Sequence, residues 1–162
     1  MSNPNYKIVV CGNAGSGKTT WLRRIRGYHF DPKYVPTLGV EVIPFLCMTN
    51  HGSYNINFWD MAGDPKFSGL GDGYMVNADA CIIALDGSNT SPECNDYWKW
   101  HNMYKKMETS KPIITMQMKA DMVKKGFMDL NISSKNDDAY CRRPIELVLR
   151  QITGFPDLRL IK

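Results

Sequence analysis

Gly12-Asn13-Ala14-Gly15-Ser16-Gly17-Lys18-Thr19 fits the pattern GxxxxGK[ST]. It follows an apolar β-type run over residues 6–11 and opens a helical stretch over residues 18–26, the setting in which such a loop binds phosphate. The glycines let backbone N–H groups turn inward around phosphate oxygens, and the helix N-terminus adds positive potential. Lys18 is then expected to reach the β- and γ-phosphates, and the Thr19 hydroxyl to ligate Mg²⁺. Residues 12–19, with Thr20 beside them, are read as a nucleoside di- or triphosphate site. The base and the reaction stay open at this point, because nucleotide kinases and ATPases use the same loop.

Outward from this loop, residues 27–38 read as a loop with Gly27, Pro32 and Pro36 as breakers. Two β-rich runs, 40–49 and 54–60, flank His51-Gly52-Ser53 and predict an antiparallel hairpin. Residues 61–73 carry Gly, Asp and Pro and predict a second long loop. Residues 80–86 and 112–118 are continuous apolar runs that suit strands buried on both faces. A helix is predicted over 91–107, with Ser91 as N-cap, Pro92 at the first helical position and Glu93 in the first turn. Residues 130–133 predict a short last strand, and 143–153 a final helix closed by Gly154. Strands alternating with helices predict an α/β fold around a mostly parallel sheet.

The length of 162 residues corresponds to one domain, 1–162. Hydrophobic residues at 43% and charged residues at 22% exclude disordered and fibrous classes. The net charge of +4 is too small to imply a nucleic-acid partner. Cys11, Cys47, Cys81, Cys94 and Cys141 are odd in number and form no CxxC pair, which argues for a reducing compartment and against zinc. The longest strongly apolar run, residues 81–85, is far short of the ~20 residues a span needs. No secretory apolar run, acceptor glycine or prenylatable cysteine is present, so no membrane anchor is expected.

Further site candidates follow in chain order. Asp60 stands after Phe58-Trp59, with Gly63 three residues on, and fits a carboxylate on the Mg²⁺ side with a glycine N–H near the γ-phosphate. Thr37 lies in the first loop after Pro36. Met118-Lys119-Ala120-Asp121 follows one apolar strand, and Ser133-Ser134-Lys135 follows the last. In this order the segments resemble Ran-type small GTPases of the Ras superfamily. Residues 33–42 are similar to the first switch of that family, 58–74 to the second, and Gly154-Phe155-Pro156-Asp157-Leu158 to the stretch after its last helix.

The resemblance implies the P-loop small-GTPase fold, a six-stranded mostly parallel sheet with helices on both faces. It implies GTP and GDP as ligands with Mg²⁺, held by Thr19 and Thr37, with Asp60 acting on it through water. Phe30 would pack near base and ribose, and Tyr34 would fold over the phosphates. Lys119 would stack on the base, Asp121 would take guanine N1 and N2, and the Ser134 N–H would take O6, flanked by Ser133 and Lys135. An acceptor of two guanine hydrogens rejects adenine, which sets aside a P-loop kinase or ATPase. Implied partners are importin-type transport receptors, an exchange factor and an activating protein, met by a monomer in nucleus or cytoplasm.

Four departures from the family pattern matter. Asp64, followed by Pro65, stands where the family has its water-positioning glutamine. Ala14 replaces a loop glycine, and Met118 replaces the asparagine of the base motif. The stretch between Asp121 and Ser133 is about a dozen residues short of the usual helical crossover, so the sixth strand is expected to be short or irregular. Asp64 and Ala14 together predict slow GTP hydrolysis, with Asp64, Thr37, Lys18 and Tyr34 as the catalytic set. The competing reading is a non-catalytic module that mimics the family and engages its partners.

Weaker features are read as structural. Trp98, Trp100 and Tyr104 are expected to pack rather than form a partner patch. Arginines 23, 24, 26, 142 and 143 and the lysine pairs 105–106 and 124–125 are expected on solvated faces. His29, His51 and His101 lack ligand spacing and are placed at the surface. Met61, Met116 and Met118 are expected to fill core gaps. Phe67 is left between docking and core packing, with Gly71 in place of a family arginine.

Overall fold

The computed structural model describes residues 2–88, 96–119, 130–135 and 141–161. Five strands are present among them: β1 (Asn5–Cys11), β2 (Val40–Thr49), β3 (Gly52–Met61), β4 (Ala80–Asp86) and β5 (Ile113–Met118). Three helices accompany them: α1 (Lys18–Ile25), α2 (Tyr97–Met107) and α3 (Arg143–Thr153). The sheet order is β2-β3-β1-β4-β5, with β2 antiparallel to β3 and every other pairing parallel. The α/β architecture expected from the alternating pattern is therefore the one observed.

Side-chain alternation explains how one sheet serves two cores. Ile8 and Val10 of β1 face one cluster, and Val9 and Cys11 face the other. Strand β4 divides in the same way, with Ala80, Ile82 and Ala84 against Cys81, Ile83 and Leu85. A period of two sends successive residues to opposite faces, so a strand covered on both faces must be apolar throughout. The first cluster takes Trp21, Leu22 and Ile25 of α1 and Ile145, Val148 and Leu149 of α3. The second takes Trp100 and Tyr104 of α2. Both aromatics are buried, while Trp98 of the same helix is 66% exposed. Met61, Met116 and Met118 are core residues, as their soft, unbranched side chains predict.

The expected count of six strands is corrected to five among the described residues. Residues 130–132 meet β5 through the single parallel bridge Gln117↔Asn131. The Gln117 N–H donates to the Leu130 carbonyl and the Ile132 N–H to the Gln117 carbonyl, each at 2.8 Å. The ladder stops there because Lys119, the next β5 residue in register, stands at φ 57° and leaves the extended conformation. The Ser133 carbonyl accepts from Cys141 Sγ at 3.4 Å, and Ser133 Oγ accepts from the Lys135 N–H at 3.3 Å. The shortened stretch 122–129 lies outside the described residues, as do Ser91, Pro92, Glu93, Cys94, Lys124 and Lys125.

Two smaller expectations shift. The hairpin turns at Asn50 and His51, so β3 begins at Gly52, two residues earlier than the β-rich run implied. The Thr49 hydroxyl closes that turn, accepting from the His51 N–H at 3.0 Å and donating to the Gly52 carbonyl at 2.8 Å. His51 is not a free surface residue. Its ring stacks on Phe155 at 4.2 Å, and its Nε2 lies 2.8 Å from Asp157 Oδ1. Met61 belongs to β3, and the loop after it contains two short 3₁₀ turns, Pro65–Phe67 and Gly71–Met75.

Candidate functional site

The loop between β1 and α1 wraps around its own lysine. Lys18 Nζ donates to the carbonyls of Gly12 and Asn13, each at 2.8 Å, and to Ser16 Oγ at 3.4 Å. Lys18 is 5% exposed, and burial pulls its pKa below the usual lysine range although Asp60 opposes the shift. Gly12 is obligatory at its place, since a Cβ there would lie 2.2 Å from the Ala84 carbonyl oxygen, at φ +147°. Asn13 is held from α2. Trp100 Nε1 donates to Asn13 Oδ1 at 2.9 Å, and Asn13 Nδ2 donates to Asp96 Oδ2 at 3.3 Å.

Three oxygens converge at the mouth of the loop. Thr19 Oγ1 donates to Asp60 Oδ2 at 2.6 Å and lies 3.0 Å from Thr37 Oγ1. Strand β3 delivers Asp60, which is fully buried, and its Oδ1 has no hydrogen-bond partner. Burial pushes the Asp60 carboxyl up to about 6 despite the Thr19 hydrogen bond and the Lys18 charge. An unpaired buried acceptor costs about 1–3 kcal/mol, more when charged. Two hydroxyls and a carboxylate form a hard oxygen donor set, which suits Mg²⁺. The residues present therefore fit that ion.

Gly63 lies directly on the phosphate loop. A Cβ at this position would be 2.3 Å from the Ala14 amide nitrogen and 2.6 Å from the Gly12 carbonyl oxygen. The two flanking loops are tied together behind it. The Gly39 N–H donates to the Phe67 carbonyl at 2.6 Å, and the Ala62 N–H to the Gly39 carbonyl at 2.9 Å. Phe67 is itself half-buried. Asp64 turns the other way: its Oδ1 accepts from the Lys66 N–H at 2.9 Å and caps the Pro65–Phe67 turn.

At the opposite end, Met118 is buried beside Gly17, whose Cβ position would be 3.5 Å from Met118 Cβ. Lys119 stands at φ 57°, with Nζ 2.8 Å from Asp86 Oδ2. Burial would raise the Asp86 carboxyl, but the Lys119 and Ser88 hydrogen bonds outweigh it and hold it below the usual range. Lys135 Nζ lies 5.5 Å over the Phe30 ring, a cation–π pair spanning two loops. The Ser134 carbonyl accepts from Arg24 Nε at 2.7 Å, which anchors that loop to α1. Asp121 lies outside the described residues.

A cavity of about 870 Å³ connects these ends. It brings together Ala14, Gly15, Gly17, Lys18, Thr19, Thr20, Phe30, Tyr34, Thr37, Gly63, Met118, Lys119, Ser134 and Lys135. Its size falls within the ~300–1,000 Å³ typical of small-molecule sites. Gly12, Asn13, Ser16, Asp60 and Ser133 stand behind this lining, and Asp64 is absent from it. Tyr34 lines the cavity and is 59% exposed. Sequence reasoning missed Arg23, which also lines the cavity, one helical turn beyond Thr19 on the same face of α1. It also missed Asp86, Asp96 and the Trp100 hydrogen bond, for which no local pattern existed.

Residues 7–121, well over half of the chain, match the family model described as Ras of Complex, Roc, domain of DAPkinase.

Proposed function

Because the chain belongs to the Roc family of Ras-like GTPase domains, we propose that it is a guanine-nucleotide switch that binds GTP and GDP with Mg²⁺ and hydrolyses GTP slowly. The observation that carries this reading is the continuous cavity, with the phosphate loop and the Thr19–Asp60 pair at one end and Phe30, Lys119 and Lys135 at the other. Membership of a Ras-like family supports guanine as the base, with Asp121 as its selector.

Thr19, Thr37 and Asp60 would hold the Mg²⁺ ion, Asp60 with the oxygen that lacks a protein partner. When bound, the ion neutralises phosphate charge. Lys18 keeps its ammonium sheltered inside the loop until phosphate oxygens replace the Gly12 and Asn13 carbonyls as acceptors. Backbone N–H groups of residues 12–19 orient the phosphates, and the N–H of Gly63 is the sensor of the γ-phosphate. Thr37 and Gly63 then order the two loops, an order–disorder change of the kind that exposes or hides partner surfaces.

Slow turnover follows from Asp64. Its carboxylate caps the Pro65–Phe67 turn outside the cavity lining, so no neutral amide stands there to orient the attacking water. The Ran-like segments 33–42 and 58–74 support transport receptors, an exchange factor and an activating protein as partners, in nucleus or cytoplasm. The same capped Asp64 favours a second reading, an interaction module that holds nucleotide without turnover.

The test is to purify the protein without added nucleotide, denature it and identify what is released by ion-exchange chromatography. Stoichiometric GTP is the expected result. GDP would require a single-turnover assay, and rapid hydrolysis there would overturn the slow-turnover reading. Empty protein that fails to take up added GTP or GDP would overturn the switch itself.

A further inference from the structure

We propose that Asp86 is a positioning residue for the nucleotide base, acting through Lys119. Strands β4 and β5 are adjacent and parallel, and their register places Asp86 opposite Met118. Their tips are joined twice beyond that point. The Gly87 N–H donates to the Met118 carbonyl at 2.9 Å, and Lys119 Nζ reaches Asp86 Oδ2 at 2.8 Å. The Met118 side chain offers no strong donor or acceptor for this task.

Both oxygens of the Asp86 carboxylate are engaged. Oδ1 accepts from the Ser88 N–H at 2.9 Å and from Ser88 Oγ at 2.6 Å, which leaves Oδ2 aimed at the lysine. A carboxylate gripped on one side cannot rotate away, so it fixes the head of a side chain that otherwise has four rotatable bonds. The pair is sheltered, with side-chain exposures of 35% for Lys119 and 16% for Asp86. Lys119 lines the cavity and Asp86 does not. The acid therefore acts on a bound base only by holding the lysine stem in one place across it. Lys119 also sits in the left-handed region at φ 57°, which side chains other than glycine seldom adopt.

The inference rests on the guanine-nucleotide reading above, and the test separates the two. Dissociation of N-methylanthraniloyl-GDP is followed for the native protein, Asp86→Asn, Lys119→Met and the double variant. Native protein that binds no GDP overturns the nucleotide reading and this proposal with it. Otherwise Asp86→Asn is expected to speed dissociation about five- to tenfold, a charged hydrogen bond discounted for partial exposure. In the Lys119→Met background the same change is expected to do almost nothing, because the group through which Asp86 acts is gone. Equal acceleration in both backgrounds would make Asp86 a support of the Ser88 turn and overturn the proposal, as would no acceleration in either. Should Asp86→Asn unfold, added KCl carries the test. It should speed dissociation from the native protein more than from Lys119→Met, and equal responses would overturn the inference.

Discussion

The two ends of the cavity are built differently. The phosphate end is one contiguous strand–loop–helix, and backbone groups do most of its work: Lys18 is held by two loop carbonyls, and Gly63 packs on loop backbone. The base end is assembled from tips far apart in sequence, Phe30, Asp86, Met118-Lys119 and Ser133-Ser134-Lys135, and side-chain pairs hold it. Backbone cradles tolerate little change, because a misplaced Cβ meets main chain that cannot move aside. Side-chain pairs can be exchanged singly, yet departures from the Ran-like pattern fall at both ends, Ala14 and Asp64 at the phosphate end and Met118 at the base end.

The sharpest way to break this comparison is Lys18→Ala. Loss of the buried cation removes the charge-assisted contact to phosphate and should abolish measurable nucleotide binding, while the two loop carbonyls it leaves unpaired lower the melting temperature of the ligand-free protein. Fluorescent-GDP titration with a parallel melt checks it. Retained binding would show that the backbone cradle alone suffices.

Asp60 gives the next largest effect, in the metal-free protein. Its folded pKa of about 6 lies above the ordinary carboxylate value, so between about pH 4 and 6 the native state binds more protons than the unfolded one. This group's contribution therefore falls as pH rises through that window and is flat above it, by at most about 3 kcal/mol for a shift near two units. Asp60→Asn should remove that slope and raise the melting temperature at pH 8, read by calorimetry in EDTA. The same variant should lose the added stability that Mg²⁺ confers with GDP. A slope unchanged in Asp60→Asn would assign it to other carboxylates.

Asp64→Gln tests the phosphate end from the catalytic side. Removing the negative charge and the cap to Lys66 should raise single-turnover GTP hydrolysis at least about tenfold, or ~1.4 kcal/mol of barrier. An unchanged rate would point to Ala14 or to the position of the loop instead. Smallest is Met118→Asn at the base end. Restoring an amide beside Gly17 should tighten GDP binding about fivefold, near 1 kcal/mol, measured from dissociation rates.

Much of this was legible in advance, and the limits have a common cause. The apolar runs at 80–86 and 112–118 announced buried strands because a strand covered on both faces has no room for polar residues. The His51-Gly52-Ser53 signal located the hairpin but misplaced its turn, since the Thr49 hydroxyl rather than glycine alone sets where it closes. Of the six strands expected, with the sixth short or irregular, five form among the described residues, and the sixth is a single bridge at Gln117, beyond which Lys119 at φ 57° leaves the extended conformation.

By itself the sequence determined the phosphate loop, the alternation that splits the core in two, and the order of loops around the cavity. Each of these is encoded by neighbouring residues through backbone conformation and side-chain period. Only the tertiary structure decided that Trp100 anchors Asn13, that Asp64 caps a turn outside the cavity lining, and that Asp86 grips Lys119. Two of these contacts, across 87 and 33 positions, need sheet register and helix packing to bring the partners together, and the third depends on the direction in which one loop leaves β3. No local pattern carries that information, because the energy of a long-range pair exists only once the chain has folded around it.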